Sequence, residues 1–442
     1  MPAGRHGATT LGDPYLPAIG NGGYAVEHYD LDLEYRVASN RLEAVATVTA
    51  AATQDLDRFS FDLIGLRATR VTVDGVRASR FTQPARKLVI TPAVPIKSGA
   101  VFTVVVRYQG SPRPARSAWG ELGWEELSNG VLVAGQPSGA ATWFPCNDHP
   151  SAKASYRIQI TTDSPYAVIT NGEPVSHKTK ASTTTWVWEQ REPMSTYLAT
   201  VQIGDYAHER VTSGPIEHHL YFPANLKPKV RNDFADLPRM MKLFIKRFGP
   251  YPFRGYRVVV TDDELEIPLE AQGMAIFGRN HVDGAHGHER LIAHELAHQW
   301  FGNSVTANRW KHIWLHEGFA CYAEWLWAEE NGGPSATASA RSHWRGLSGL
   351  PQDLVIADPG PELMFDDRVY KRGALALHAL RHEVGDKVFF EILRDWTKTF
   401  RHALVTTDDF VALAARHAGG KRSIPALFEA WVERKRLPLF PG

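Results

Sequence analysis

The sequence predicts a multidomain α+β fold: an N-terminal antiparallel β-sandwich-like domain, then a mostly helical domain with a small sheet. Three observations predict it. The chain has 442 residues, more than one hydrophobic core ordinarily organises. Its first half alternates apolar and polar residues over short runs separated by turn signals. From about residue 230 the apolar spacing changes to the three-and-four pattern of helices. The expected divisions are a loose polar tail over 1–20, rich in Gly and Pro, a β-rich domain over 21–208, and a second domain over 209–442.

In the first domain, 24–37 is the clearest strand, alternating from Tyr29 onward. The runs 58–63, 70–73, 87–90, 101–108, 131–133, 156–161 and 184–188 follow it, and Asp74-Gly75 and Asn171-Gly172 mark turns. Short strands at this spacing suggest a sandwich. In the second domain, 230–248 reads as a helix, and 257–261 and 274–277 read as strands. A helix is expected over 289–301, with apolar residues at 291, 292, 296, 297, 300 and 301 and a stop at Gly302-Asn303. Another is expected over 317–330, ended by Asn331-Gly332-Gly333-Pro334. The runs 370–385, 387–399, 407–418 and 424–434 continue as helices, and the Gly-Pro-rich span 348–361 is a loop.

Bulk properties exclude some functions. The net charge is +1, with Lys and Arg spread along the chain, so neither a nucleic-acid footprint nor a basic membrane patch is expected. No apolar run is long enough for a transmembrane helix. The first residues lack the apolar core of a signal peptide. Two cysteines in distant segments suit a reduced, cytoplasmic protein, with a secreted mature form as the alternative. A monomer is expected.

The chemistry concentrates in His294-Glu295-Leu296-Ala297-His298. Residues i and i+4 share a helix face, so both imidazoles can reach one metal ion. Glu295 projects about 100° further round, beside the ion and free to act on its water. Glu317, in Trp314-Leu315-His316-Glu317-Gly318-Phe319-Ala320, can return on a second helix as a carboxylate ligand. That set suits a hydrolytic zinc, one per chain. Glu324 lies two turns beyond Glu317 and either orients a ligand histidine or is a plain surface acid.

These segments resemble the aminopeptidase N-like gluzincins, peptidase family M1. The eighteen residues between His298 and Glu317 match that family's spacing. Trp143-Phe144-Pro145-Cys146-Asn147-Asp148, Pro193-Met194-Ser195-Thr196-Tyr197 and Tyr370-Lys371-Arg372-Gly373-Ala374 are similar to further family segments. The resemblance runs from about residue 20 onward and implies a thermolysin-like catalytic domain in a short form without the family's C-terminal helical domain. It implies zinc ligands His294, His298 and Glu317, the general base Glu295, and an oxyanion donor in Tyr370. It further implies that Glu270 holds the substrate's α-amine and that Gln136 lines the first side-chain pocket. The expected substrates are peptides with a free N-terminus. Two departures, Ala271 for an asparagine after Glu270 and His316 for an asparagine before Glu317, bear on substrate preference. The competing readings are a catalytically silent peptide-binding scaffold and a zinc endopeptidase or non-peptide hydrolase.

Overall fold

The computed structural model describes residues 6–441 except 213 and 215, and it divides into two compact units at Ala207/His208. The first unit is built on an eight-stranded sheet. Its strands run, in spatial order, Glu173–Lys180, Thr183–Ser195, Lys153–Asp163, Tyr24–Arg36, Arg41–Ala52, Val101–Gly110, Arg67–Val73 and Val76–Arg77. All neighbours are antiparallel except Tyr24–Arg36 and Lys153–Asp163, which pair in parallel. The alternation from Tyr29 buries Tyr29, Leu31, Leu33 and Tyr35 on one face. A three-stranded sheet packs its Phe59 and Phe61 against Tyr24 and Phe102 of the large sheet. A five-stranded sheet, which includes Gly120–Leu127 and Gly130–Ala134, brings Trp124 against Tyr35 with ring centroids 4.9 Å apart.

This unit has strands beyond those expected, Gly120–Leu127 and Glu173–Lys180 among them, and two departures have a plain physical cause. Strand Arg41–Ala52 was not anticipated because alanines carry much of its buried alternation (Leu42, Ala44, Ala46, Val48, Ala50, Ala52), and alanine is a poor strand signal. The described part of the N-terminal segment, 6–20, is not loose. Asp13, Tyr15 and Ile19 are buried, and backbone hydrogen bonds join Gly7 to Arg58 and Leu11 to Ile19. Tyr15 and Ile19 are covered by the rest of the fold, and composition alone does not reveal that.

The second unit carries a five-stranded sheet in the order Ala207–Val211, Glu217–Phe222, Gly255–Val260, Met274–Phe277, Leu269–Ala271. The last strand is an edge, antiparallel to Met274–Phe277. The helices are α1 Lys227–Asp233, α2 Leu237–Phe248, α3 Glu289–Ala297, α4 Trp314–Glu330, α5 Ala336–Ser348, α6 Asp367–Thr399, α7 Thr407–His417 and α8 Ser423–Phe428. The single helix expected over 230–248 is two. Pro238 has no N–H and its ring would clash with the carbonyl of Phe234, so α2 has to start afresh there. Helix α5, not expected, is capped by Ser335, whose hydroxyl accepts from the Ala338 amide. Helix α6 breaks at Gly385 (φ 78°, ψ 162°), between the two helices the sequence separates. Arg372 of α6 donates to the carbonyls of Ala430, Trp431, Arg434, Lys435 and Arg436, which ties the segment beyond α8 to that helix. No helix among the described residues is long and apolar enough to cross a membrane.

Candidate metal centre

The helical backbone of α3 continues through His298, whose amide donates to the His294 carbonyl at 3.2 Å. The i, i+4 spacing therefore sets the two imidazoles face to edge, with centroids 4.7 Å apart at 78°. Each ring is oriented through its Nδ1. His294 Nδ1 donates to Glu324 Oε1 at 2.7 Å, and Arg290 holds the other oxygen of that carboxylate at 3.0 Å. His298 Nδ1 donates to the Phe301 carbonyl at 3.0 Å. The turn that offers this carbonyl needs Gly302 at φ +115°, where a Cβ would also press within 3.3 Å of the His298 ring. Both Nε2 atoms are thereby left facing inward.

Glu317 stands in the first turn of α4, which packs on α3. Its Oε2 lies 3.4 Å from the Nε2 of His294 and 3.4 Å from the Nε2 of His298. His316, the residue before it, is fully buried, and its Nε2 accepts from the Ala307 amide at 2.8 Å. An imidazole at this position thus fastens the chain ahead of α4.

Where α4 crosses α6, glycine meets glycine. A Cβ built on Gly318 would lie 2.8 Å from the Gly373 Cα, and one on Gly373 would lie 2.8 Å from the Gly318 Cα. This backbone-to-backbone approach brings Tyr370, one turn before Gly373, over the site. Its ring stacks on that of His294, with centroids 6.0 Å apart at 19°. Glu270 arrives from the edge strand Leu269–Ala271. One carboxylate oxygen each from Glu270 and Glu295 and a nitrogen of His298 lie within 4.8 Å of one another.

Electrostatics follow from burial and crowding. Burial opposes charge on His294, but hydrogen bonds to Glu317 and Glu324 outweigh it and raise its pKa to about 9. His298 rises to about 10 in the same way, chiefly through the charge of Glu317. Burial likewise opposes ionisation of Glu317, but the two histidines hold its carboxyl well below the usual range. Glu295 is pushed up to about 7 by burial, against the pull of both histidines. Burial also raises Glu270, and it raises Tyr370, with help from Glu317, so the phenol stays a proton donor at neutral pH.

The donor set fits zinc. Two Nε2 atoms and one carboxylate oxygen converge within 4.8 Å, all on buried residues. Glu295, only 4% exposed, keeps an Oε2 without a hydrogen-bond partner beside them. A buried carboxylate oxygen in that state awaits a proton or a water. Of the residues singled out by sequence, the second unit gathers His294, Glu295, His298, Glu317, Glu324, Glu270 and Tyr370. Gln136 belongs to the first unit, two residues past strand Gly130–Ala134. Sequence reasoning gave no site role to Arg290, to the glycine pair Gly318 and Gly373, or to the amides Gln299 and Asn303. The glycines lie inside the motif segments, and Asn303 was read only as part of a helix stop.

Residues 25–198 match the Peptidase M1 N-terminal domain and residues 234–431 match the Peptidase family M1 domain. Aminopeptidase M1-A of Oryza sativa subsp. japonica is 25% identical over 396 residues, 84% of this chain and 43% of the relative. Aminopeptidase M1 of Arabidopsis thaliana is 26% identical over 344 residues, 71% of this chain and 38% of the relative. The chain therefore spans less than half the length of these relatives. An M1 zinc metallopeptidase from Deinococcus radiodurans is similar over nearly its whole length. It is 30% identical with a TM-score of 0.89, over 98% of this chain and 99% of that one. A mutant of an M1 zinc metallopeptidase from the same organism, with a TM-score of 0.89 and 30% identity, has been solved bound to a Tyr-Ser-Ala substrate.

Proposed function

The chain belongs to peptidase family M1, and from that premise we propose that it is a zinc-dependent aminopeptidase removing N-terminal residues from peptides. The observation that carries the reading is the carboxylate of Glu270 standing within 4.8 Å of Glu295 and His298. An acid so close to the hydrolytic centre can pair with a substrate ammonium next to the bond to be cut. That contact fixes where the chain must begin. The names of the relatives, aminopeptidases among them, support the same reading.

His294, His298 and Glu317 would hold one zinc per chain, with Glu324 orienting His294. Bound there, zinc supplies Lewis acidity, which lowers the pKa of water and polarises a carbonyl. Glu295 takes the proton of the attacking water and returns it to the leaving amine. Burial raises its pKa, and a neighbouring cation would draw it back towards the ionised, base-competent form. Tyr370 donates its hydroxyl proton in a hydrogen bond to the oxygen on which negative charge develops. Gln136 is assigned to the first side-chain pocket on the family resemblance.

The test is a panel of aminoacyl-naphthylamides with and without chelator, followed by peptides with free and N-acetylated termini. Chelator-sensitive turnover confined to free termini is the expected result. Efficient cleavage of acetylated peptides would mean that Glu270 does not anchor an amine.

A further inference from the structure

The hairpin carrying Glu270 is gripped from the metal-site helix by one amide. Gln299 lies one residue past His298 and is fully buried. Its Oε1 accepts from the Gly273 amide, at the hairpin turn, at 2.8 Å. Its Nε2 lies 3.2 Å from the Ala271 carbonyl, 3.2 Å from the Met274 carbonyl and 3.4 Å from the carbonyl of Glu295. Asn303 adds a donation to the Ala271 carbonyl at 2.9 Å. Ala271 follows Glu270 directly, and Met274 precedes Ala275, the residue paired with Glu270 across the hairpin. The bonds to Gln299 therefore fasten both strands at the Ala271–Met274 pair, one residue nearer the turn than Glu270.

This grip acts on a short element. Leu269–Ala271 is three residues long and sits at the sheet edge, paired on one side only. A primary amide is also the side-chain group suited to the task, because it both accepts from an N–H and donates to two carbonyls; a carboxylate or an ammonium can do only one of these. Gln299 and Glu295 are one helical turn apart, so base, ligand and hairpin share a single rigid element.

We propose that Gln299 is a positioning residue that sets Glu270 at the distance from the metal ligands where the substrate's terminal ammonium is read. The proposal rests on Glu270 being the amine anchor. It predicts that loss of the amide impairs recognition of the free terminus while leaving metal binding intact.

Gln299→Met keeps much of the volume and removes the hydrogen bonds. The zinc-loaded full chain is assayed for kcat and KM on a tripeptide and on its N-acetylated twin, with zinc content and Tm measured alongside. The expected result is unchanged zinc and a KM for the free tripeptide raised about tenfold, the scale of a sub-ångström misplacement. The preference for free over acetylated peptide falls by the same factor. Asn303→Ala shifts the preference in the same direction by less. In a Glu270→Ala background, Gln299→Met changes the preference no further, because the residue it positions is gone. Equal losses on both peptides, or additive effects of the two substitutions, overturn the proposal. Should Gln299→Met fail to fold, an unchanged preference in Asn303→Ala overturns it as well. If Glu270→Ala by itself leaves the preference untouched, the amine-anchor reading fails, and that result is distinct from a failure of Gln299 alone.

Discussion

Gly318→Ala tests whether the α4–α6 crossing sets the geometry of the site. The new methyl would sit 2.8 Å from the Gly373 Cα, 2.9 Å from its carbonyl carbon and 3.3 Å from the Ala374 nitrogen. All three are backbone atoms, so no side chain can swing away. Carbon atoms pack at about 3.5 Å or more, so the helices must part by about 0.7 Å at the crossing. Over-packing of this kind costs about 1–3 kcal/mol. For a unit of this size that corresponds to a Tm lowered by about 2–12 °C. The parting separates Tyr370 from Glu317, since each lies within one turn of its glycine. Misplacement of a transition-state donor by under an ångström costs about ten- to a hundredfold in rate. The loss should fall on kcat, because Glu270, the proposed amine anchor that would govern KM, comes from a different element. The assay is steady-state kinetics on the best naphthylamide, with zinc content by metal analysis. Gly318→Ala combined with Tyr370→Phe should be little worse than Tyr370→Phe alone. A Gly318→Ala enzyme that folds, binds zinc and keeps kcat within twofold of the parent refutes the reasoning.

Glu295→Gln should lower kcat by about 10²–10⁴ while zinc stays bound, since the proposal makes the side chain a base and not a ligand; metal analysis showing zinc loss would contradict that division. Glu324→Ala should weaken zinc binding about 10–100-fold by freeing the His294 ring, as read from chelator competition. His218, His312 and His378 are buried and depressed to about 4, chiefly by desolvation, so the fold favours their neutral forms. Their contribution to stability is complete above the unfolded value of about 6.5 and is lost as pH falls towards 4. Each adds up to about 1.4 kcal/mol per pH unit in that window, and His378→Phe should reduce the slope by one proton in urea unfolding at stepped pH.

The legible part of the site was the part written locally. The helix around His294 and His298 shows its face through the spacing of Leu291, Ile292, Leu296 and Ala297, and the spacing to Glu317 matches a known pattern. Glu324 was left open between orienting residue and surface acid, because no local signal shows that a ring lies 2.7 Å away. Gln299 was silent for a related reason. A buried amide on a helix looks like any polar residue until the carbonyls of Ala271 and Met274 are brought against it. In the first unit, Arg41–Ala52 was missed because the propensity of alanine argues against strand, and ten register positions shared with Val101–Gly110 override it.

The sequence by itself determined the class of each half, the candidate metal-binding helix and the chemistry open to its residue types. These depend on periodicity and on residue type, which act over a few positions along one chain. Tertiary structure alone decided which atoms meet. The inward turn of both Nε2 atoms depends on Glu324 and the Phe301 carbonyl. The approach of Tyr370 depends on two glycines 55 residues apart in sequence, Gly318 and Gly373. The stance of Glu270 depends on an edge strand held from a helix. Each is a contact between distant segments, and its energy arises from close packing and buried hydrogen bonds that exist only once the chain has folded.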